Sequence, residues 1–180
     1  MNIKFKKAIC EISAGHVGAA WTDGGLAVLT LPEASRGKAE EKLDCELLPL
    51  SLKYNAAIYD SHDSGMLSAV QGEMELYFSG GCTALNLPVD WELMSPFRAK
   101  VLSVVKQIPW GKTLSYGRVA ALLGNVRASR AVGGALGSNR VLLVIPCHRI
   151  IRGDGTLGGF GAGLEWKRRL LEIEGISLLR

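Results

Sequence analysis

The sequence lacks any Cys-x-x-Cys pair. Its four cysteines lie far apart, at positions 10, 45, 82 and 147. Zinc ribbons and dithiol redox sites use closely spaced cysteines, so neither is expected, and the wide spacing is not that of a disulfide framework. The thiols are expected to stay reduced, as in a cytoplasmic protein. A zinc site remains as an alternative, built from Cys10, Cys45, Cys82, His16 and His62.

The sequence also has no apolar run that approaches the length of a membrane-spanning helix, although 48% of its residues are hydrophobic. An apolar content of this size predicts a globular chain rather than a disordered one. Lys4, Lys6 and Lys7 resemble the basic start of a signal peptide. Glu11 and His16 interrupt the apolar stretch that should follow. We therefore expect a cytoplasmic location and no contact with a membrane.

Charge is distributed unevenly along the chain. Residues 1–90 contain 7 Lys+Arg and 12 Asp+Glu, a net charge of −5, whereas residues 91–180 contain 14 and 5, a net charge of +9. A basic half can simply keep a surface solvated, but a contrast this large indicates a face that binds a polyanion such as nucleic acid. Because residues 87–91 have the composition of a linker, we predict two domains, 1–90 and 91–180.

The first half is predicted to be an α/β domain. Residues 1–30 alternate between apolar and polar types, and Asp23–Gly24 is a hairpin signal, so several strands are expected. Residues 34–43 are charged and favour a helix. Within the ambiguous stretch 52–77, apolar residues recur every three or four positions, which predicts a second helix.

The second half is predicted to begin with three short helices. Ser95 and Ser115 can cap the first two helices, and the third runs from about Arg127 to Leu136. Gly124–Asn125 separates the second helix from the third. Two short helices joined by such a turn predict a helix-turn-helix, and an ordinary αα-hairpin fits the same pattern.

The third helix is unusually rich in small residues, among them Gly133 and Gly134. A glycine within a helix costs up to about 1 kcal/mol relative to alanine, so two adjacent glycines need a reason. Close packing in the core is one reason, and close approach to a large, flat partner such as a duplex groove is another. Arg127 and Arg130 lie among these small residues and favour the second explanation.

A reactive thiol is predicted at Cys147. Val141–Ile145 is apolar and rich in β-branched residues, which predicts a short buried strand that ends at Pro146. Asn139 is expected at the other end of that strand. The cations of His148–Arg149 follow directly, and such a setting lowers the pKa of a thiol. A buried cysteine that only fills space is the alternative.

The last part of the chain combines a glycine-rich segment with a helix. The glycines of residues 153–163 allow the backbone to approach a ligand closely. A final helix is predicted from Leu164 to Glu174, with Lys167–Arg169 on its solvated face. Because a carboxylate is unfavourable at the C-terminus of a helix, Glu174 is expected to pair with a cation, for which His148 is the candidate.

Taken in order, these motifs resemble the O6-alkylguanine-DNA alkyltransferases, also called methylated-DNA–protein-cysteine methyltransferases. The segments that carry the resemblance span about residues 95–175: Ser95–Phe97, Ile108–Gly111, Thr113–Tyr116, Ser129–Ala135, Asn139, Ile145–Ile151, Gly163–Leu164 and Leu170–Gly175. Residues 1–90 match more weakly, in Leu31–Pro32 and Tyr77–Gly80. The resemblance implies an N-terminal α/β domain with a ribonuclease H-like sheet and a mainly helical, winged-helix-like DNA-binding domain after it.

The resemblance also implies a reaction. Cys147 would take an alkyl group from O6-alkylguanine in duplex DNA, once and irreversibly, with O4-alkylthymine as a second candidate substrate. His148 would accept the thiol proton through a water, and Glu174 would orient His148. Asn139 would fix the turn around the site. Because DNA carries the alkyl group, no cofactor and no metal are expected.

The resemblance further assigns residues that handle DNA. Tyr116 would press on a phosphate and help rotate the nucleotide out, and Arg130 would fill the space left behind. The small-residue helix would enter the minor groove through Arg127, Ser129, Ala131 and Gly133. A loop would contact the flipped base through Gly158, Gly159, Phe160 and Gly161. Phe160 stands where the family often has tyrosine, so no side-chain hydroxyl is available at this position of the loop. The protein is expected to be a monomer.

Two other functions remain open at this point. One is a protein that binds damaged DNA without transferring the alkyl group, in which Cys147 is inert. The other is a thiol hydrolase that uses Cys147, His148 and Asn139. The hydrolase is less favoured, because neighbours on an extended strand point to opposite faces and a direct bond between Cys147 and His148 is awkward.

Overall fold

The computed structural model describes residues 3–61, 64–81 and 84–177. The chain forms two compact units, each with its own set of contacts. Met1–Leu93 and Arg140–Leu142 make up the N-terminal unit, and Met94–Asn139 and Leu143–Arg180 make up the C-terminal unit. The first contains a sheet and the second is mainly helical, as expected. Among the described residues, no helix has both the length and the apolar character needed to span a bilayer.

Among the described residues of the N-terminal unit, four strands form a sheet in the order β3-β2-β1-β4. They are β1 (Lys4–Ile12), β2 (Gly15–Thr22), β3 (Gly25–Leu29) and β4 (Ala57–Asp60). Strands β1 to β3 are antiparallel, whereas β4 is parallel to β1. The hairpin predicted from Asp23–Gly24 is confirmed, since these residues connect β2 to β3.

Two helices accompany this sheet, α1 (Arg36–Tyr54) and α2 (Ser64–Phe78). Helix α1 extends well beyond the predicted 34–43, because Leu43, Leu47 and Leu50 continue its buried stripe and pack against the sheet. The stripe is hard to see in the sequence, because exposed leucines and a proline interrupt it. Helix α2 lies where the apolar spacing predicts it.

Within its described residues, 94–139 and 143–177, the C-terminal unit contains four α-helices and a small two-stranded sheet. The helices are α3 (Pro96–Lys106), α4 (Tyr116–Leu122), α5 (Ser129–Gly137) and α6 (Leu164–Ile173). Strands β5 (Leu114–Ser115) and β6 (Ile150–Ile151) pair in parallel. Ser115 caps α4 by accepting a hydrogen bond from the Arg118 amide at 3.1 Å, as predicted, whereas Ser95 makes no capping bond.

The strand predicted at Val141–Ile145 does not form. Val141 makes an isolated bridge to Leu29 of the N-terminal unit, and the chain then turns at Leu143, which has a left-handed φ of 68°. A short apolar run shows burial but does not distinguish a strand from a buried turn. Cys147–Arg149 forms a 3-10 turn, so the argument that Cys147 and His148 lie on opposite faces of a strand does not apply.

Candidate active site

Cys147, the predicted reactive cysteine, lies at the start of a short turn. Pro146 precedes this turn at its N-cap position, and the Cys147 side chain is buried. The Asn139 Nδ2 atom donates to the Ile145 carbonyl oxygen at 3.0 Å and to the Cys147 sulfur at 3.1 Å. Asn139 is therefore next to the thiol, although it reaches it across a turn and not along a strand.

The environment of the Cys147 thiol differs from the sequence prediction. Burial raises the pKa of the thiol, and the Asn139 hydrogen bond and the Lys167 charge offset only part of that rise. The predicted lowering by the two cations that follow is wrong, because His148 and Arg149 direct their polar atoms towards Glu174. A thiol in this state keeps its proton near neutral pH, so reaction at the sulfur requires a proton acceptor.

Glu174 joins two cationic side chains in a buried network. Its Oε1 atom lies 2.8 Å from His148 Nε2 and accepts a bond of the same length from Arg149 Nη2. Its Oε2 atom accepts from Arg149 Nε at 2.8 Å. All three side chains are buried. The predicted pairing of His148 with Glu174 is confirmed, and Arg149 is a second partner that the sequence did not indicate.

The protonation states within this network follow from its geometry. Burial alone would raise the pKa of Glu174, but the hydrogen bonds from His148 and Arg149 outweigh burial and lower it to about 2. Burial lowers the pKa of His148, although Glu174 opposes this shift. At neutral pH the pair is thus a carboxylate and a neutral imidazole that donates through Nε2. The Nδ1 atom of that imidazole has the lone pair that can accept a proton.

Lys167 is a site residue that the sequence analysis missed. The prediction placed it on a solvated face with Arg168 and Arg169, and those two are exposed, but Lys167 is completely buried. Its Nζ atom donates to the carbonyl oxygens of Ile150, Leu157 and Gly159. Burial lowers the pKa of this ammonium to about 8, and Cys147 acts in the opposite direction.

A signal for Lys167 was available in the sequence. The position lies three and four residues before Leu170 and Leu171, so it falls on the apolar stripe of α6. A lysine within such a stripe must bury its ammonium next to acceptors or reach solvent past the stripe. Here the acceptors are backbone carbonyls of the glycine-rich segment.

The predicted substrate loop lies beside Tyr116 and His148. The Tyr116 hydroxyl donates to the Gly159 carbonyl oxygen at 3.4 Å, and burial raises the pKa of this phenol, which keeps it protonated. Gly158 has a φ of 65°, and a Cβ atom there would lie 3.0 Å from the Tyr116 hydroxyl. The Phe160 ring meets the His148 ring edge-on at 6.5 Å between centroids. A Cβ atom at Gly161 would lie 4.0 Å from the Gly137 carbonyl oxygen, whereas one at Gly159 would have nothing within 4 Å.

The predicted DNA-binding residues lie at the start of α5 and in the turn before it. Arg127, Arg130 and Ala131 are exposed, whereas Ser129 and Gly133 are partly buried.

Glycines along α5 distinguish the two explanations for its small residues. A Cβ atom at Gly133 would lie 3.7 Å from the Tyr116 ring, but Gly134 and Gly137 have nothing within 4 Å. Core packing therefore does not explain the last two glycines. Because Gly134 and Gly137 have no side chains, the surface of α5 beside Arg130 is open.

The zinc alternative finds no support in the part of the chain that is described. There, no group of three or more His, Cys, Asp or Glu side chains is arranged to hold a metal ion. Cys10 is buried, and burial raises the pKa of its thiol to about 11, whereas Cys45 is exposed on α1. Two other members of this alternative, Cys82 and His62, lie outside the described residues.

Comparison with known proteins places this site in a family. The profile described as "6-O-methylguanine DNA methyltransferase, DNA binding domain" matches residues 96–176. The methylated-DNA–protein-cysteine methyltransferase of Sulfurisphaera tokodaii is 44% identical over 108 residues, which are 60% of this chain and 67% of the relative. The protein of the same name from Saccharolobus solfataricus is 40% identical over 119 residues, 66% of this chain and 76% of the relative. The chain belongs to the methylated-DNA–protein-cysteine methyltransferase family.

Solved structures agree with this assignment. OGT of Mycobacterium tuberculosis in complex with DNA has a TM-score of 0.69 and 27% identity, over 95% of this chain and 92% of that one. The O6-methylguanine-DNA methyltransferase of Pyrococcus kodakaraensis has a TM-score of 0.71 and 24% identity, over 96% and 99%, and shows the shared fold. The family resemblance predicted from the sequence is thus confirmed. So is the combination of a sheet-containing N-terminal part with a helical C-terminal part.

The methyltransferase profile also covers the whole of the site described above. Its range, 96–176, includes Asn139, the turn at Cys147 and the paired His148 and Glu174. Tyr116 and Lys167 lie in the same range. The family's DNA-binding domain and the buried thiol network of this chain are therefore one region of the sequence.

Proposed function

We propose that this protein repairs DNA by moving an alkyl group from the O6 atom of guanine to Cys147, once per molecule. Membership of the family supports DNA repair by alkyl transfer to a cysteine. One observation connects that reaction to Cys147. Its sulfur accepts a hydrogen bond from Asn139 and directly precedes a histidine that is paired with a buried carboxylate.

Proton transfer comes first in this proposal. The Cys147 thiol gives its proton through a water to His148 Nδ1, and Glu174 stabilises the imidazolium that results. This step is needed because burial keeps the thiol protonated. The Lys167 ammonium and the Asn139 amide stabilise the thiolate that forms, since both act to lower the pKa of Cys147.

Alkyl transfer then follows as an in-line displacement. The Cys147 thiolate forms a bond to the alkyl carbon, the bond between that carbon and O6 breaks, and its electron pair moves to the guanine. The Tyr116 hydroxyl supplies a proton to the departing base and regains one from the His148 imidazolium. The products are unmodified guanine and a thioether, so no cofactor enters the reaction and the protein reacts once.

The DNA substrate must place its damaged base in this site. A guanine inside a duplex has to rotate out, which costs a few kcal/mol and less for a weakly paired lesion. We assign Arg130 to the vacated space, Tyr116 to the phosphate, and the open face of α5 to the minor groove. Exposure of Arg130 beside Gly134 and Gly137 supports this assignment.

The remaining substrate contacts come from the loop and the surrounding residues. Gly158, Gly159 and Gly161 offer only backbone groups, while Phe160 offers an apolar ring against His148. The small-residue helix and the turn before it contribute further residues, namely Arg127, Ser129, Ala131 and Gly133.

O4-alkylthymine remains a second candidate substrate. We propose a monomer in the cytoplasm.

We also assign the finer fold classes and domain bounds that the sequence predicts. Residues 1–90 would be the α/β domain with a ribonuclease H-like sheet, a class that the mixed order β3-β2-β1-β4 supports. Residues 91–180 would be the winged-helix-like domain. The short turn between α4 and α5 and the small β5–β6 sheet support this class and its helix-turn-helix.

An intact-mass experiment tests the proposal. The full chain is mixed with a duplex that contains one O6-methylguanine, and a stoichiometric gain of one methyl group on Cys147 is expected. Cys147→Ser should gain none, whereas Cys45→Ser, which removes an exposed cysteine, should react like the wild type. Binding of the duplex without a mass change would support a damage-binding protein instead. Catalytic turnover of a thiol-reactive ester without methyl transfer would support the hydrolase.

A further inference from the structure

Residues 140–142 join Asn139 to the turn that presents Cys147, yet they belong to the N-terminal unit. We call them the linking segment. The Leu29 amide donates to the Arg140 carbonyl oxygen at 2.8 Å, and the Leu142 amide donates to the Leu29 carbonyl oxygen at 3.2 Å. Because β3 is the edge strand of the sheet, the linking segment adds three residues of partial pairing to that edge.

A side chain also anchors the linking segment to α1. The Arg140 Nε atom lies 3.2 Å from the backbone oxygen of Glu46 and 3.4 Å from its Oε2 atom. Both side chains are shielded from water over most of their surface. A guanidinium that reaches a carbonyl and a carboxylate of one residue has a fixed orientation, which a lysine does not reproduce.

The residues on either side of the linking segment have little freedom. The Asn139 amide donates to the Leu136 carbonyl oxygen at 3.0 Å, and its side chain bonds to Ile145 and to the sulfur of Cys147. Leu143 has a left-handed backbone, which costs a leucine about 1 kcal/mol. If Arg140 moves, Asn139 therefore moves as well, because the two residues are joined by one peptide bond and no flexible residue lies between them.

We propose that Arg140 and Glu46 are positioning residues for alkyl transfer. They hold the linking segment on β3 and α1, and this keeps the Asn139 amide on the Cys147 sulfur. The inference rests on the proposed function, because it concerns the reactivity of the same thiol. Loosening the segment weakens a hydrogen bond that favours the thiolate, so the thiol becomes harder to ionise and slower to react.

A direct effect of charge on Cys147 would shift the ionisation of its thiol in a different direction from the one expected when the linking segment is loosened. The two explanations can therefore be distinguished by experiment. The charged and titratable side chains that act on Cys147 are Lys167 of α6 and Tyr116 of α4, and the backbone of the adjacent His148 contributes a hydrogen bond. Those beside Arg140 are Glu46 and, through it, Lys42 of α1. Removing the negative charge of Glu46 would by charge alone make the thiol easier to ionise. Loosening the segment makes it harder.

The test measures alkylation of Cys147 by iodoacetamide as a function of pH, together with single-turnover transfer from free O6-benzylguanine. All variants are full-length chains. Arg140→Ala should slow transfer roughly tenfold, about the effect of losing one charge-assisted hydrogen bond. Glu46→Gln should slow it less. In both variants the pH profile of alkylation should move to higher pH.

A matched control comes from the same helix. Arg36→Ala removes a 3.0 Å ion pair with Glu40 on α1, away from the linking segment, and should leave both readouts unchanged. If Arg140→Ala does not fold, Arg140→Lys and Glu46→Gln provide the same comparison, with the lysine variant slower than wild type.

Three results would overturn the inference. The first is an unchanged rate and pH profile in Arg140→Ala, and the second is a profile that moves to lower pH in Glu46→Gln. The third is a loss of rate that follows the loss of folded protein while the profile stays in place. If the wild type reacts with iodoacetamide but takes no methyl group from methylated DNA, only the proposed function is contradicted. The pH profiles of the variants would still show whether Arg140 and Glu46 position the thiol.

Discussion

The Nε2 atom of His148 lies 2.8 Å from the Oε1 atom of Glu174, and both side chains are buried. Arg149 bonds to the same carboxylate, so the charge on Glu174 is balanced even while His148 is neutral. A proton taken up at His148 therefore gives this network a net positive charge, which the thiolate formed at Cys147 balances.

Glu174 should make the protein sensitive to acid. Its pKa is about 2 in the folded chain against an ordinary 4.5, so its stabilising effect is complete above about pH 4.5 and is lost as pH falls towards 2. Glu174→Gln leaves Arg149 without a charged partner and should lower the free energy of unfolding at neutral pH by roughly 3 kcal/mol. Urea unfolding at a series of pH values measures both effects. If the free energy of unfolding falls equally with pH in the variant and the wild type, Glu174 is not the source of the acid sensitivity.

Lys167 should control the ionisation of the thiol. Lys167→Met removes an ammonium that lowers the pKa of Cys147 and that donates to the carbonyl oxygens of Ile150, Leu157 and Gly159. The pH profile of Cys147 alkylation should move to higher pH, and transfer should slow. Arg168→Met, one residue along α6 and exposed, is the control and should behave as wild type. If the two variants have the same pH profile of Cys147 alkylation, Lys167 does not act on the thiol.

Asn139 should matter for both folding and reactivity. Asn139→Ala removes one of two donors to the Ile145 carbonyl oxygen, which keeps the Cys147 amide, and should lower the free energy of unfolding by about 1 kcal/mol. It also removes a bond to the sulfur, so the thiol should titrate at higher pH. Thermal unfolding and iodoacetamide kinetics measure the two effects. Ser138→Ala, which loses only a local bond to Ala135, should leave thiol titration in place.

Arg130 should matter only when the substrate is a duplex. If this side chain fills the space left by a rotated base, Arg130→Ala should slow repair of methylated duplex DNA by roughly tenfold or more. Transfer from free O6-benzylguanine should stay close to the wild-type rate, since no base pair has to open. Single-turnover kinetics on both substrates make the comparison. Equal losses on the two substrates would show that Arg130 acts on the chemistry and not on the DNA.

The sequence predicted part of this site because some residues are costly unless they have a partner. A carboxylate at the C-terminal end of α6 needs a cation, and that requirement led to the pairing of Glu174 with His148. Likewise, exposed glycines in α5 need a reason beyond packing. In both cases a local penalty in the sequence indicated a contact elsewhere.

Other features depend on tertiary structure and could not be predicted from neighbouring residues. The apolar run before Cys147 indicated burial correctly, but whether it forms a strand depends on Leu29, which is far away in sequence. The same holds for the thiol. Adjacent cations predicted a lowered pKa, whereas the fold directs both of them to Glu174 and leaves burial as the main influence. The charge of Lys167 predicts exposure, whereas its position on the apolar stripe of α6 buries it.

The linking segment has a consequence for how the chain folds during synthesis. The N-terminal unit includes residues 140–142, so it stays incomplete until most of the C-terminal unit has left the ribosome. Synthesis from Leu29 to Val141 takes about 6 to 22 seconds at 5–20 residues per second. During this time the Leu29 end of β3 lacks its partner, whereas the Leu26 end pairs with Val89, which is made earlier. Unpaired edge strands invite intermolecular pairing. The growing polypeptide therefore exposes the Leu29 end of this edge to other chains until its partner at Val141 has been translated.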